Sequence, residues 1–299
     1  MPETLASAKT TLDAIQPLPS GTRMNRIDAL FSDLKRAGKR GLMPFITAGD
    51  PDLATTRALL TELLRQGAHM VEIGIPYSDP IADGPVISAS YTRALQKGIR
   101  LEQIFAEVRS WRQETAATAY AKAPLVSMVS YSIVHRRGPE GYLREAAQAG
   151  FDGLIVPDLP VEESEALARL VQAADLRLIQ LVTPTTPRDR AVRIARATSG
   201  FIYYVSVAGI TGERDALPPD LAADVAWLRT QTDLPVCIGF GISKPEHVRM
   251  LAPVADGLIV GSAIVRRLSN LDQSSAEIVR DVGRFVGELA KALGPGQTS

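Results

Sequence analysis

The stretch Met70-Val71-Glu72-Ile73-Gly74-Ile75-Pro76-Tyr77-Ser78-Asp79-Pro80-Ile81-Ala82-Asp83-Gly84-Pro85 begins as an apolar run and ends in a loop crowded with Asp, Gly and Pro. An apolar run bounded by turn residues is the pattern of a parallel strand buried on both faces, and a parallel strand needs a crossover, usually a helix, to bring the chain back. Glu72 interrupts the run. A buried, ionised, unpaired carboxylate costs several kcal/mol or more, so Glu72 must be paired, protonated or used. Strand alternation puts Met70, Glu72 and Gly74 on one face and Val71, Ile73 and Ile75 on the other, which predicts open space over Gly74 beside the acid.

Outward from that strand the same grammar repeats. Short apolar runs at 42–46, 70–75, 125–129, 153–156, 178–182, 201–205, 236–239 and 258–260 alternate with helical stretches at 53–66, 139–149, 161–174, 187–197, 219–230 and 245–251. Eight such units fit an α/β fold, a single (β/α)8 TIM barrel, with an open doubly wound sheet as the rival. The rival calls for G-x-G-x-x-G after the first strand, where this chain has Thr47-Ala48-Gly49-Asp50-Pro51. Ile27, Leu30, Phe31 and Leu34 mark an N-terminal helix, and two extra helices, at 85–97 and 101–114, follow strand two. The expected organisation is a disordered leader over 1–23, one barrel domain over 24–293 and a tail over 294–299.

Composition excludes several function classes. With 33 basic and 33 acidic residues in 299, the chain carries no net positive charge to attract nucleic acid or an anionic membrane. Its single cysteine, Cys237, cannot form an intrachain disulfide, and His69, His135 and His247 share no ligand spacing with it or with one another. No apolar run approaches the roughly 20 residues of a membrane span. A cytoplasmic protein is expected.

In a barrel the chemistry sits at the C-terminal ends of the strands, which singles out Glu72 and the loop acids Asp79 and Asp83. Asp79 reads as a turn-capping residue, whereas Glu72 and Asp83 are placed to move protons at two atoms of one substrate. Glu72, inside an apolar strand, should hold its proton; Asp83, on a polar loop, should stay ionised. Three late turns, Gly209-Ile210-Thr211-Gly212, Gly239-Phe240-Gly241 and Gly261-Ser262, fall on the same face, and glycine there lets backbone N–H groups approach a phosphate. None of the seven lysines ends a strand as a Schiff-base enzyme would need, and no Ser-His or Cys-His pairing is evident. Proton transfer on a phosphate ester is what remains.

Pro44-Phe45-Ile46-Thr47-Ala48-Gly49-Asp50-Pro51 and Glu72 to Pro85, followed by Val156-Pro157-Asp158-Leu159-Pro160-Val161-Glu162-Glu163 and the three glycine turns in order, closely resemble the tryptophan synthase α chains. The resemblance covers about Met24 to Leu293. It implies reversible cleavage of indole-3-glycerol phosphate to indole and glyceraldehyde 3-phosphate without a cofactor. It also implies a pyridoxal-phosphate β chain as partner in an α2β2 tetramer. By position it makes Glu72 the acid/base at indole C3 and the side-chain hydroxyl, and Asp83 the acceptor of the indole N1–H. It places Tyr203 near Glu72, Phe45 and Phe240 as apolar walls, Thr211 on a loop closing toward Asp83, and Gly212, Gly241, Gly261 and Ser262 around the phosphate. One segment departs from the pattern: after strand three the family shows Tyr, a variable residue, then Asn-Pro, where this chain has Ser130-Tyr131-Ser132-Ile133. If the strand continued that far, Tyr131 would face away from the site. Another sugar-phosphate barrel enzyme and a non-catalytic activator subunit stay open as alternatives, the first lacking the Glu72 to Asp83 arrangement and the second the acids themselves.

Overall fold

The computed structural model describes residues 24–80, 83–205, 220–239, 241–270 and 272–294. The expectations for the leader 1–23, for Thr211, Gly212 and Phe240, and for most of the tail lie outside these residues.

The strands are β1 (Gly41–Thr47), β2 (Val71–Gly74), β3 (Leu125–Met128), β4 (Gly153–Ile155), β5 (Arg177–Ile179), β6 (Leu181–Val182), β7 (Ile202–Val205), β8 (Val236–Gly239) and β9 (Gly257–Val260). All adjacent pairs are parallel, in the order β5-β4-β3-β2-β1-β9-β8-β7-β6. The two edges of that list are consecutive in the chain. β5 pairs with β4 and β6 with β7, and between them the Gln180 carbonyl accepts the Tyr203 N–H at 3.1 Å. One strand, broken at Gln180, therefore closes the sheet into an eight-stranded barrel.

Around it lie α1 (Arg26–Arg36), α2 (Leu53–Arg65), α3 (Pro85–Gln96), α4 (Leu101–Glu114), α5 (Tyr131–Arg137), α6 (Pro139–Ala149), α7 (Ser164–Ala173), α8 (Arg188–Ala197), α9 (Leu221–Arg229), α10 (Pro245–Leu251), α11 (Ser262–Leu268) and α12 (Ser275–Ala292). Local chemistry sets several starts: Asp52 accepts the Thr55 N–H to cap α2, Ser274 and Glu277 form a reciprocal capping box on α12, and Pro opens α3, α6 and α10. The stretch expected to be one helix over 161–174 opens with a 3-10 turn, Val161–Glu163, before α7.

Alternation along the strands sorts the core into two. Val71, Ile73, Leu125, Leu154, Leu178, Ile202, Ile238 and Leu258 pack outward under the helices, while Met43, Phe45, Met70, Val126, Met128, Ile155, Ile179, Cys237 and Ile259 fill the barrel. The N-terminal end is closed by α1, whose Ile27, Phe31 and Leu34 join the inner group and whose Phe31 ring lies 5.6 Å from that of Phe201. Polar ties hold this floor: Arg177 bonds Asp28, and the Asn25 side chain donates to the carbonyls of Asp152 and Asp175. The opposite end, where the strands finish, receives the loops.

Candidate active site

Glu72 lies mid-way along β2, level with Phe45 of β1 and Val126 of β3, and is 4% exposed. It faces inward, as alternation requires. Among the described residues no cation and no hydrogen-bond donor pairs with it, so burial, with the charge of Asp83 as a second cause, pushes its carboxyl up to about 8.

Asp83 sits two residues before α3, half-buried, and accepts the Tyr77 hydroxyl on Oδ2 at 3.1 Å. Burial raises its carboxyl to about 6; the Tyr77 hydrogen bond works against the rise and the Asp158 carboxylate adds to it. The expected order of acidities therefore holds, but the picture of Asp83 as an ordinary solvated loop acid does not. Asp83 is drawn partly out of water against Tyr77, and the composition of the segment does not reveal that. Near pH 7 Glu72 is mostly protonated and Asp83 mostly ionised, and the charge of Asp83 acts on Glu72.

Space over Gly74 is also corrected. A Cβ built there would stand 2.5 Å from Phe45 Cζ and 2.7 Å from the Tyr91 hydroxyl. The glycine admits two aromatic side chains from neighbouring elements, so the acid sits against a wall. Tyr203 faces the same interior, and its hydroxyl is raised well above its ordinary range by burial, then by Glu72 and Asp83.

At the ends of the neighbouring strands β8 and β9 stand Gly241 and Gly261. Gly241 has φ of +30°, a backbone state L side chains rarely adopt. Gly261 leads into α11, where the N–H groups of Ile264 and Val265 both return to the Gly261 carbonyl. The first two N–H groups, of Ser262 and Ala263, have no helix partner, and no side chain caps them.

The segment that departs from the family pattern is no strand. β3 ends at Met128, and Ser130 caps α5, its hydroxyl 2.7 Å from both Asp158 Oδ2 and Ser132 Oγ. The Tyr131 N–H donates to Asp158 Oδ1 at 2.8 Å, and its ring packs outward near His135. Asp79 is exposed and accepts the Ser78 hydroxyl, as a turn residue does. His69 accepts the Leu42 N–H through Nδ1, and Cys237 is wholly buried inside the barrel. Tyr77, Tyr91 and Asp158 were not singled out by sequence. Asp158 carried a signal, an acid just past a strand in Val156-Pro157-Asp158, whereas the tyrosines read as loop and helix-core residues.

The family model for the tryptophan synthase alpha chain matches residues 31–294. The chain belongs to the tryptophan synthase α chain family. It is similar to the tryptophan synthase alpha chain of Rhodopirellula baltica, 50% identical over 275 residues that cover 90% of this chain and 98% of that one. The crystal structure of tryptophan synthase subunit alpha from Legionella pneumophila superposes with a TM-score of 0.81 at 34% identity, covering 91% of this chain and 99% of that chain. The tryptophan synthase complex of Pyrococcus furiosus gives 0.75 at 33%, covering 85% and 98%. The activity of the tryptophan synthase α family is that of a carbon-carbon lyase of tryptophan biosynthesis, cleaving indole-3-glycerol phosphate, and this chain shares it.

Proposed function

We propose that Glu72 and Asp83 together carry the reversible cleavage of indole-3-glycerol phosphate to indole and glyceraldehyde 3-phosphate. One observation carries the assignment: two carboxylates at one barrel mouth, the first raised to about 8 by burial and the charge of the second, the second raised by burial only to about 6. Protonated Glu72 delivers its proton to indole C3, and the positive charge that develops on the ring is met at N1–H by ionised Asp83. The Glu72 carboxylate then takes the proton of the side-chain hydroxyl. The bond from C3 to the side chain breaks, its electron pair restores the indole ring, and the hydroxyl-bearing carbon leaves as the aldehyde of glyceraldehyde 3-phosphate. Glu72 ends protonated, ready for the next cycle.

Phe45 walls the indole, and Tyr203 lies close enough to both acids for their charges to act on its hydroxyl. The phosphate is seated on the uncapped N–H groups at Ser262, beside Gly261 and Gly241, with Gly212 and Thr211 assigned to the same end by family position. The partner is a β chain, as in the tryptophan synthase complex of Pyrococcus furiosus, docked over residues 76–80 and the segment after β3 in an α2β2 assembly. A cytoplasmic setting suits a chain whose one cysteine is buried inside the barrel; among the described residues no helix is long and apolar enough to cross a membrane.

The test is to mix pure protein with indole-3-glycerol phosphate, alone and with the cognate β chain, and measure indole across pH. Turnover should rise through about 6 as Asp83 ionises and fall through about 8 as Glu72 loses its proton. Activation of the β chain with no indole from the α chain would make this a non-catalytic activator instead.

A further inference from the structure

Helix α3 carries a tyrosine that neither the strand ends nor the turns point to. Tyr91 is wholly buried, and its hydroxyl has no hydrogen-bond partner. Leaving such a group unmet is costly, so a buried phenol facing a reaction site implies an acceptor in the working state. Its surroundings identify that acceptor. The hydroxyl lies 2.7 Å from the Cβ position of Gly74, the next inward-facing position after Glu72 on β2. The Tyr91 ring lies 5.4 Å from the Tyr77 ring, and Tyr77 donates to Asp83 Oδ2. Asp83 Oδ1 has no donor among the described residues, and of the charges acting on the Tyr91 hydroxyl that of Asp83 is the largest.

We propose that Tyr91 is a positioning residue for Asp83: its hydroxyl donates to the Oδ1 side of the carboxylate as indole occupies the site, so that two phenols, Tyr77 and Tyr91, orient the acceptor toward N1–H. This deepens the reaction assigned above and rests on it. Several groups face Asp83: Tyr77 from its own loop, Tyr91 from α3, Glu72 from β2, Tyr203 from β7 and Asp158 from the loop after β4. Burial and the charge of Asp158 hold Asp83 toward its neutral form. The two phenols are the groups placed to favour the ionised form by donating to it.

The variant Tyr91→Phe removes one oxygen and keeps the ring against Tyr77 and Gly74. Two readouts are paired. The first is the Asp83 carboxyl titration, followed by NMR on protein labelled with carbon-13 at the aspartate carboxyls, with the signal assigned by its loss in Asp83→Asn, with and without saturating indole. The second is the pH profile of kcat, which reports the substrate-bound enzyme. In indole-bound Tyr91→Phe the Asp83 titration should move up by roughly half a unit or more. The acid limb of the rate should move with it, while kcat near pH 8 stays close to wild type. Tyr77→Phe should move both in the same sense. An indole-bound titration that stays where wild type has it overturns the role of Tyr91, whatever the rate does. A raised KM with an unmoved titration also overturns it, because the hydroxyl then serves the substrate directly. The titration does not need turnover, so a protein that makes no indole would defeat the proposed function while still testing this one.

Discussion

Asp152 and Glu72 are each 4% exposed, one at the closed end of the barrel and one toward the open end. Asp152 takes Arg26 on Oδ1 at 2.8 Å, and Arg112 and the Leu125 N–H on Oδ2 at 2.9 Å. Glu72 has no partner among the described residues and is driven to hold its proton. The difference between them lies in what surrounds them, not in burial. An acid given two guanidinium groups and an amide is taken up in pairing and joins α1, α4 and β3 to β4. An acid given hydrocarbon and a second acid is left with a proton it can part with.

The largest effect should come from breaking the paired acid. Asp152→Ala leaves Arg112, 10% exposed, and Arg26 without their carboxylate, and should cost about 3–5 kcal/mol of stability in chemical denaturation, while the fraction that stays folded keeps a near-normal kcat. A stable Asp152→Ala protein would show that the pairing is incidental. Glu72→Gln should do the reverse, lowering kcat by on the order of 10²-fold or more at nearly unchanged substrate binding, because the amide keeps the shape and cannot exchange a proton. Normal turnover by this variant would make Glu72 as structural as Asp152.

A smaller effect sharpens the contrast through pH. Glu72 is raised from 4.5 to about 8 on folding, so between those values the folded protein keeps a proton that the unfolded chain releases. Stability is therefore lost as pH climbs through that window, by at most about 1.4 kcal/mol per pH unit from this group. Thermal melts of wild type and Glu72→Gln should diverge in favour of the variant from pH 5 to pH 8 and run parallel beyond it. Parallel melts throughout would mean that Glu72 finds a cation in solution. The smallest expected change is at the phosphate end, where backbone N–H groups are uncapped: Ser262→Ala should cost only about 1 kcal/mol in substrate binding, read as KM, and a much larger loss would transfer the phosphate to the side chain.

What could be read ahead of the structure follows the same division. Glu72 stood out because one charge in an apolar strand breaks the pattern, and alternation also put Met70 and Val71 on opposite faces, as the two core groups have them. The pairing of Asp152 was invisible, since Arg26 and Arg112 lie 126 and 40 positions away and nothing local announces them. The helical start at Ser130 to Ser132 was not legible after a strand expected to end at 129, because α5 is only seven residues long and its cap depends on an acid from the next strand's loop. Tyr91 shares a helix face with Ile87 and Ala94, so spacing makes it a core residue; only the fold brings its hydroxyl to the acids. Asp83 was found by motif, yet its weakened acidity comes from how the loop lies, which composition does not encode.

The floor laid by α1 has a consequence for traffic. With Ile27, Phe31 and Leu34 stoppering one end, the barrel formed by the described residues is a vessel with its doorway at the other, framed by Tyr77, Asp83 and Asp158. Reactant must come in over this sill, and two products of very different polarity must go out over it. Whatever sits across the doorway thus governs intake and discharge at once, and guarding one threshold is enough to keep a small, oily product from being spilled.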